Sequence, residues 1–189
     1  MTILCNCIDK DYMMSEELFS QRTTTCGALT KADDGSRVVL NGWVHRNRNH
    51  GSVHFINLRD RYGITQVVVD DDAPQELEAV ATSLRLEFCI AVTGVVRCRP
   101  DSMINPEMAT GEIEVKAERI EILSTCPPLP FQIDDGTKTK EDLRLKYRYL
   151  DLRSQGMQQR LKLRYDFILS IRNDLSEQGF WEIETPTMI

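Results

Sequence analysis

Short strand-like runs separated by glycines fill the stretch Gly42–Gln66, and this punctuation restricts the chain to a fold built largely from β-strands. The glycines are Gly42, Gly51 and Gly63. Glycine inside a strand pattern is typical of a bulge, whereas glycine between two strand-like runs is typical of a turn. We therefore predict three successive strands in this part of the chain, with a β-bulge at Gly42.

Side chains alternate with a period of two in the second and third of these strands. Ile56 and Leu58 alternate with Phe55 in the second strand, and Val67 alternates with Gln66 in the third. Successive side chains of a strand point to opposite faces, so the aliphatic residues are predicted to face a core. Phe55 and Gln66 are then predicted to face outward.

A helix is predicted after the third strand. Asp72 stands just before Ala73 and Pro74, and it is the expected N-cap. Apolar residues then recur at i, i+3, i+4 and i+7, which is one stripe of a helix. These residues are Leu77, Val80, Ala81 and Leu84.

The predicted elements occur in the order three strands, one helix and two strands. This is the order of a five-stranded OB-fold barrel, whose ligand-binding face includes strands two and three. We therefore predict a mainly β fold with an OB-fold barrel over residues 22–123. The predicted strands are residues 37–48, 52–60, 63–70, 87–99 and 112–122.

Positive charge is concentrated in Gly42–Gln66, which has four arginines and one acid, Asp60, although the whole chain is acidic. The formal net charge of −6 argues against indiscriminate binding of polyanions, so any contact with nucleic acid must be local. A basic strand surface with an outward aromatic such as Phe55 is how small barrels hold unpaired nucleotides. The local arginines are Arg46, Arg48, Arg59 and Arg61, of which the last two are expected to pair with Asp60 and neighbouring acids or to remain in solvent.

Neither the cysteines nor the histidines predict a metal site. The six cysteines include no C-x-x-C pair, and we expect them to be reduced thiols. The three histidines have no cysteine or carboxylate at a usual ligand spacing, so we expect them on a nucleic-acid-facing surface. They are His45, His50 and His54.

Residues before and after the predicted barrel differ from it in composition. Residues 1–21 lack the apolar core of a secretory signal, and no run in the chain approaches the ~18–20 apolar residues of a membrane span. We expect a poorly ordered extension on a cytoplasmic protein. Residues 124–140 contain three prolines and no periodic pattern, which predicts a semi-rigid hinge.

The last third of the chain predicts the start of an α/β domain. A short helix is predicted over residues 141–153 and a long one over residues 157–178, with Gly179 after its end. A strand is predicted from Phe180 to Thr185. These elements cannot bury their apolar faces alone, so we expect residues 141–189 to be part of an incomplete second domain.

The motifs that usually carry catalysis are absent from this sequence. The chain contains no G-x-x-x-x-G-K, G-x-G-x-x-G, G-x-S-x-G or H-E-x-x-H. Glu112 and Glu114 share a predicted strand face, but no nucleophile or water site accompanies them. We therefore predict no catalytic residue in this chain.

Several runs resemble the N-terminal region of bacterial-type aspartyl-tRNA synthetases. Gly42–Gly51, with the sequence GWVHRNRNHG, and the Cys-Gly-x-Leu start at Cys26 are the most specific. Tyr147–Arg153, YRYLDLR, resembles the segment that enters the catalytic domain, and lysyl relatives share it. Gly179–Pro186, GFWEIETP, resembles motif 1 of class II synthetases. The resemblance covers roughly residues 22–189.

The resemblance implies an OB-fold that reads the anticodon of a tRNA. Phe55 resembles the aromatic that stacks on the middle anticodon base, and Gln66 resembles the residue that hydrogen-bonds that base. Glu114 resembles the carboxylate that recognises the first base. Arg46, Arg48 and Arg97 resemble positions near the anticodon loop. Asn105 lies in the equivalent of the loop that contacts the third base, and Pro186 matches a residue at the dimer interface. From the residues alone, Phe55 could instead pack under a loop and Gln66 could be solvated.

Two residues depart from the usual pattern of this family or vary within it. Asn47 stands where the family often has a third arginine, so the affinity for the RNA backbone is expected to be weaker. His50 occupies a position that differs between forms that charge only tRNA(Asp) and forms that also charge tRNA(Asn). Histidine at this position resembles the second, relaxed form.

The resemblance also implies an activity for the full-length parent. That parent is expected to be a homodimeric aspartate–tRNA ligase that uses ATP and Mg²⁺ and binds tRNA(Asp), with tRNA(Asn) as a second partner in the relaxed form. Motifs 2 and 3 of class II synthetases are absent, so the 189-residue chain itself is predicted to be inactive. The alternatives are a stand-alone OB-fold RNA-binding module, a paralogue without catalysis, or a lysyl or asparaginyl relative.

Overall fold

The computed structural model describes residues 21–133 and 139–185. Apart from Gln21, the predicted N-terminal extension lies outside the described residues. Pro186 also lies outside them, so its predicted place at a dimer interface stays a prediction.

The chain divides into two compact units, which we describe one at a time. They are Met1–Pro128 and Leu129–Ile189. The division falls within residues 124–140, for which the sequence predicts a hinge, and the action of these residues as a hinge stays a prediction.

The first unit contains a closed barrel of five strands, which confirms the predicted OB-fold. The strands are β1 Arg37–His50, β2 Val53–Arg59, β3 Ile64–Val69, β4 Cys89–Cys98 and β5 Ile113–Ser124. They follow one another around the barrel in the order β1-β2-β3-β5-β4, and β4 pairs with β1 to close it. The β3–β5 pair is parallel, whereas the other four pairs are antiparallel.

Aliphatic residues that alternate along the strands fill the barrel interior. Ile56 and Leu58 of β2 and Val67 of β3 are fully buried, as their period predicts. Phe55 and Gln66 directly precede Ile56 and Val67 in the sequence, so they face outward, and they are half-buried. Full burial of an aliphatic side chain of this size contributes ~1.5–3 kcal/mol, so the alternation fixes which face of each strand is inside.

The helix α1, Gln75–Ser83, follows β3 in the chain and packs its apolar stripe against the barrel core. The buried members of the stripe are Leu77, Ala81 and Leu84. The predicted N-cap at Asp72 is wrong, because Pro74 occupies the N-cap position and no side chain caps the helix. Asp72 instead accepts a hydrogen bond from Lys116 Nζ at 2.9 Å, and a charged donor is the stronger partner for a carboxylate.

The bulge of β1 lies at His45, so the predicted bulge at Gly42 is wrong. The register of β1 against β2 shifts between Val44 and Arg46, which leaves His45 as the extra residue. Gly42 keeps a regular pairing with β4. A Cβ atom on Gly42 would lie 2.6 Å from the carbonyl oxygen of Arg59, so glycine is required there for the close approach of β2.

The turn between β2 and β3 is held by the carboxylate of Asp60. It accepts hydrogen bonds of 2.7–2.9 Å from the backbone N–H groups of Cys26, Tyr62 and Gly63. Its oxygens are therefore occupied by the turn. Arg59 forms an ion pair of 2.8 Å with Glu87 instead, whereas Arg61 is exposed.

The described residues of the second unit form three helices, α2 Glu141–Lys146, α3 Arg148–Asp151 and α4 Gln155–Glu177. The sequence predicts one helix over residues 141–153, but the backbone leaves helical geometry at Tyr147. Asp151 accepts a hydrogen bond from Arg144 Nε at 2.8 Å and also pairs with Arg148. A continuous helix would separate residues 144 and 151 by about 10 Å along its axis, so the break allows this ion pair to form.

The helix α4 ends as the sequence predicts, with Gly179 at a φ of 88°. The N–H of Phe180 donates to the Leu175 carbonyl and the N–H of Gly179 donates to the Ser176 carbonyl, which is a Schellman motif. The strand predicted from Phe180 is not formed in the described residues up to 185, where no neighbouring strand pairs with it. No helix among the described residues is long and apolar enough to cross a bilayer.

Candidate nucleic-acid interface

One polar side chain from each strand contributes to a row across the outward face of the barrel. Register places Arg46 of β1 opposite Asn57 of β2, and Asn57 opposite Gln66 of β3. Gln66 is hydrogen-bonded to Glu114 of the neighbouring β5, and Arg97 of β4 lies opposite Glu114. We call these five residues the outward row. The structure thus brings together four of the site residues predicted from the sequence.

The bulge at His45 decides the direction of the basic side chains of β1. Val44 is buried in the core, so an unbroken period of two would also turn Arg46 and Arg48 inward. The extra residue reverses the alternation, and both arginines are exposed. Neither arginine has a hydrogen bond or ion pair with the part of the chain that the structure describes.

Phe55 projects from β2 beside these arginines. It lies opposite Arg48 of β1 on one side and Val68 of β3 on the other. The ring of His50 meets Phe55 edge to face, with centroids 6.3 Å apart and an interplanar angle of 77°. An aromatic ring next to a guanidinium is a common arrangement for stacking a base while binding its phosphate.

Glu114 is 7% exposed and receives one hydrogen bond on each carboxylate oxygen. Oε1 accepts from Arg97 Nε at 2.7 Å, and Oε2 accepts from Gln66 Nε2 at 3.0 Å. Arg99 Nε lies 3.7 Å from Oε2 and adds a second positive charge. The two residues expected to read different bases therefore form a hydrogen bond with each other.

Arg97 is bound at its other end by Asp70, a residue that the sequence analysis missed. Nη1 and Nη2 of Arg97 donate to the two carboxylate oxygens of Asp70 at 2.7 and 2.9 Å. This hydrogen bonding lowers the pKa of Asp70 and raises the pKa of Arg97, so both groups are charged at neutral pH. Its place directly after the strand that carries Gln66 is the signal that could have identified it.

The loop before β5 contains Asn105, half-buried after the 3₁₀ turn Asp101–Met103. Its Oδ1 accepts from the backbone N–H of Glu107 at 3.0 Å, so the side chain helps to shape this loop. Arg99, also missed by sequence reasoning, is buried near Glu114, and burial lowers its pKa. Its Nη2 has no hydrogen-bond partner among the described residues.

The three histidines do not share one nucleic-acid-facing surface, contrary to the sequence prediction. His50 is exposed beside Phe55. His45 Nδ1 lies 3.0 Å from Arg59 Nη1. His54 is 2% exposed, with Nε2 3.4 Å from Thr82 Oγ1, because it has the same inward parity on β2 as Ile56.

Comparisons with known proteins match both units of the chain. Residues 38–123 match the family described as OB-fold nucleic acid binding domain. Residues 140–189 match the family described as tRNA synthetases class II (D, K and N). The first match contains the whole outward row, and the second begins just before α2.

The chain is similar to curated aspartate–tRNA(Asp/Asn) ligases over most of its length. It is 64% identical over 169 residues to the ligase of Treponema denticola, which is 89% of this chain and 29% of that relative. It is 54% identical over 171 residues to the ligase of Treponema pallidum strain Nichols, which is 90% of this chain and 28% of that relative. The chain therefore spans less than a third of the length of these relatives.

Solved synthetase structures share this fold. An asparaginyl-tRNA synthetase from Pyrococcus horikoshii has a TM-score of 0.74 at 27% identity, over 86% of this chain and 36% of that chain. The aspartyl tRNA synthetase from Entamoeba histolytica has a TM-score of 0.79 at 22% identity, over 87% of this chain and 39% of that chain, which supports the fold alone.

These findings confirm the family resemblance seen in the motifs. An OB-fold domain precedes a class II synthetase segment, in the order expected for the aspartyl type. The high identity to the two Treponema proteins extends across both segments. The chain belongs to the aspartyl-type class II aminoacyl-tRNA synthetases and corresponds to their N-terminal part.

Proposed function

We propose that the outward row and Phe55 read the anticodon of tRNA(Asp). The observation that supports this proposal is the grouping of an outward aromatic ring, a carboxylate–amide pair and two exposed arginines, which have no ion pair with the described residues, on one face of an OB barrel. These are the groups needed to stack, select and hold an unpaired loop of RNA.

Each side chain suits a different part of a nucleotide. Phe55 can stack on the middle anticodon base, and the amide of Gln66 offers a donor and an acceptor to a pyrimidine edge. The carboxylate of Glu114 can accept from the amino and imino groups of a guanine at the first position. Arg46 and Arg48 supply positive charge for phosphates.

Two further predicted contacts belong to the same proposal. Asn105 lies in the loop expected to meet the third base, and because its Oδ1 is bonded to Glu107 within the loop, its amide N–H groups are the donors proposed for that base. Arg97 would contribute through the two guanidinium N–H groups that Asp70 and Glu114 leave unused, since five are available.

The full-length protein is, in this proposal, an aspartate–tRNA ligase that works as a cytoplasmic homodimer. The names of the relatives support this activity. ATP and Mg²⁺ would then serve aspartate activation. The described residues contain no group of three or more His, Cys, Asp or Glu that could hold a metal ion, so we assign these cofactors to no residue here. The 189-residue chain alone is expected to be inactive, which an aspartyl-adenylate assay would check.

The tRNA(Asn) anticodon is the second proposed ligand. The relatives' names include both tRNAs, and His50 contacts the ring of Phe55 on the binding face. Two RNA hairpins that differ only in the third anticodon base, cytosine or uracil, would test this. Comparable affinity for both supports the relaxed form, and a strong preference for cytosine contradicts it.

The decisive experiment replaces Phe55 with alanine and measures binding of a hairpin with the tRNA(Asp) anticodon loop. We expect a loss of ~1–3 kcal/mol, because a stacked base loses its platform. The matched control is Tyr62→Ala, which removes an exposed aromatic ring from the β2–β3 turn instead. Equal affinities for the two folded variants would contradict the proposed function.

A further inference from the structure

We infer that Asp70 is a positioning residue for discrimination of the first anticodon base, because it holds the guanidinium of Arg97 so that each carboxylate oxygen of Glu114 keeps an unused acceptor site for a guanine. This inference rests on the proposed function. Asp70 directly follows β3, and its side chain is 17% exposed. It touches the outward row only through Arg97 and would not itself need to touch RNA.

Asp70 fixes the orientation of the Arg97 guanidinium. Its two terminal nitrogens donate to the two oxygens of Asp70 at 2.7 and 2.9 Å, which is the forked pairing that best orients an arginine. Only Nε is then directed at Glu114, at 2.7 Å from Oε1. Arg97 therefore occupies one oxygen of Glu114 and not both.

Both carboxylate oxygens of Glu114 keep an unused acceptor site. An ionised carboxylate has about four lone-pair sites on its two oxygens. Arg97 uses one on Oε1 and Gln66 uses one on Oε2. One site remains on each oxygen, and a guanine presents two parallel N–H donors to such a pair. The restrained Arg97 thus leaves Glu114 with the acceptors that guanine requires.

Loss of the Asp70 charge would remove this restraint. Arg97 and Glu114 lie directly opposite each other on β4 and β5, so a released guanidinium can turn to bind both oxygens of Glu114. The acceptors for guanine would then be filled. Arg97 would also carry charge no longer balanced by Asp70, which increases attraction to any RNA backbone. Discrimination is expected to fall while binding of non-cognate RNA rises.

Asp72 provides a matched control two residues away. Its side chain is 65% exposed, and it binds Lys116 Nζ at 2.9 and 3.0 Å rather than Arg97. The same ammonium lies 3.2 Å from Asp70 Oδ2, so both aspartates pair with Lys116, whereas of the two it is Asp70 that also binds Arg97. Asp72→Asn removes the same formal charge from the same end of β3 and leaves the Arg97 fork in place. A pure charge effect would make the two variants alike, and a positioning effect would separate them.

The test uses the 189-residue chain and two RNA hairpins that differ only in the first anticodon base, guanine or adenine. For Asp70→Asn we expect the guanine-to-adenine affinity ratio to fall about tenfold and the salt dependence to steepen. For Asp72→Asn we expect the ratio to stay within about twofold. An unchanged ratio in D70N, or an equal fall in D72N, would overturn the inference. A wild-type chain without guanine preference would instead overturn the proposed function itself.

A second variant keeps the inference testable if D70N folds poorly. Arg97→Lys retains the positive charge but has a single ammonium group. Unlike the guanidinium, this group cannot bind both oxygens of Asp70 and also donate a separate hydrogen bond to Glu114. We expect R97K to lower the affinity ratio about as much as D70N, with thermal unfolding measured on each variant. Full retention of the ratio by a folded R97K chain would contradict the positioning role.

Discussion

The two sides of the outward face differ in how their charged groups are held. On the side formed by β1 and β2, the β1 residues Arg46 and Arg48 are exposed and have no ion pair with the described residues. On β3, β5 and β4, Glu114 and Arg97 are held by hydrogen bonds from or to their neighbours. We call these the open side and the paired side.

This difference separates affinity from selectivity. Free arginines bind phosphates of any sequence, and they need little preorganisation because a phosphate can be approached from many directions. A base edge offers donors at fixed positions, so the groups that read it must be held in place by neighbours. The open side is therefore suited to hold the loop, and the paired side is suited to choose it.

A buried ion pair, Arg59–Glu87, lies next to the bulge that directs the arginines of the open side, and breaking this pair should have the largest effect on stability. Arg59 and Glu87 have side chains 14% and 4% exposed, and the Glu87 N–H donates to the Val44 carbonyl next to the bulge. Glu87→Gln should lower the free energy of unfolding in urea by about 3 kcal/mol, because it leaves Arg59 charged and buried.

Its control is an ion pair of the same type in solvent. Glu112→Gln removes a partner of Lys31, and both side chains are at least half exposed. We expect a change of ~0–1 kcal/mol there. Equal effects at the two sites would mean that the buried pair does not support the bulge.

Removal of the two exposed arginines of the open side, Arg46 and Arg48, should have an intermediate effect that distinguishes the two sides. In the double variant Arg46→Ala, Arg48→Ala, the affinity should fall about equally for the hairpin with guanine and the hairpin with adenine at the first anticodon position. The slope of log affinity against log salt should fall by about 1 for each arginine. Arg119→Ala is the control, since Arg119 lies on β5 five residues beyond Glu114 and is 70% exposed. A loss confined to the guanine hairpin would show that the open side also selects bases.

Low pH should slightly reduce the stabilisation that the Asp70–Arg97 pair contributes to the paired side. The hydrogen bond from Arg97 lowers the pKa of Asp70, so its stabilisation is present above the ordinary carboxylate pKa of about 3.9. It is lost as the pH falls through the lower, folded value. The free energies of urea unfolding of wild type and D70N should therefore differ at neutral pH, by less than ~1 kcal/mol because Arg97 is 39% exposed. The difference should begin to shrink near pH 4 and should vanish below the lowered, folded pKa of Asp70. A gap that widens in acid would contradict this assignment.

The local features of the barrel were predictable from the sequence. Period-two alternation correctly placed Ile56 inside and Phe55 and Gln66 outside, because burial on a strand depends on parity alone. The position of the bulge was not predictable in this way. Gly42 fits a bulge equally well by composition, but the close approach of Arg59 is what requires its glycine.

The sequence pattern also does not identify the ion-pair partners of charged residues. Asp72 looked like a helix cap but binds Lys116, which is 44 residues away in sequence. The sequence pattern predicts that Arg59 pairs with Asp60 and neighbouring acids or remains in solvent, but its partner is Glu87, 28 residues away in sequence. Each choice depends on which strands become neighbours, and an isolated sequence window does not contain that information.

The sequence by itself determined the OB barrel, the outward Phe55 and Gln66, and the synthetase family, since periodicity and motifs are local properties of the chain. The tertiary structure alone decided that Gln66 meets Glu114 across 48 residues and that Asp70 holds Arg97 across 27. The physical reason is that parallel pairing of β3 with β5 and closure by β4 bring distant residues within hydrogen-bond distance. The groups expected to select a base are thus specified by the sequence, but their mutual restraint exists only in the folded barrel.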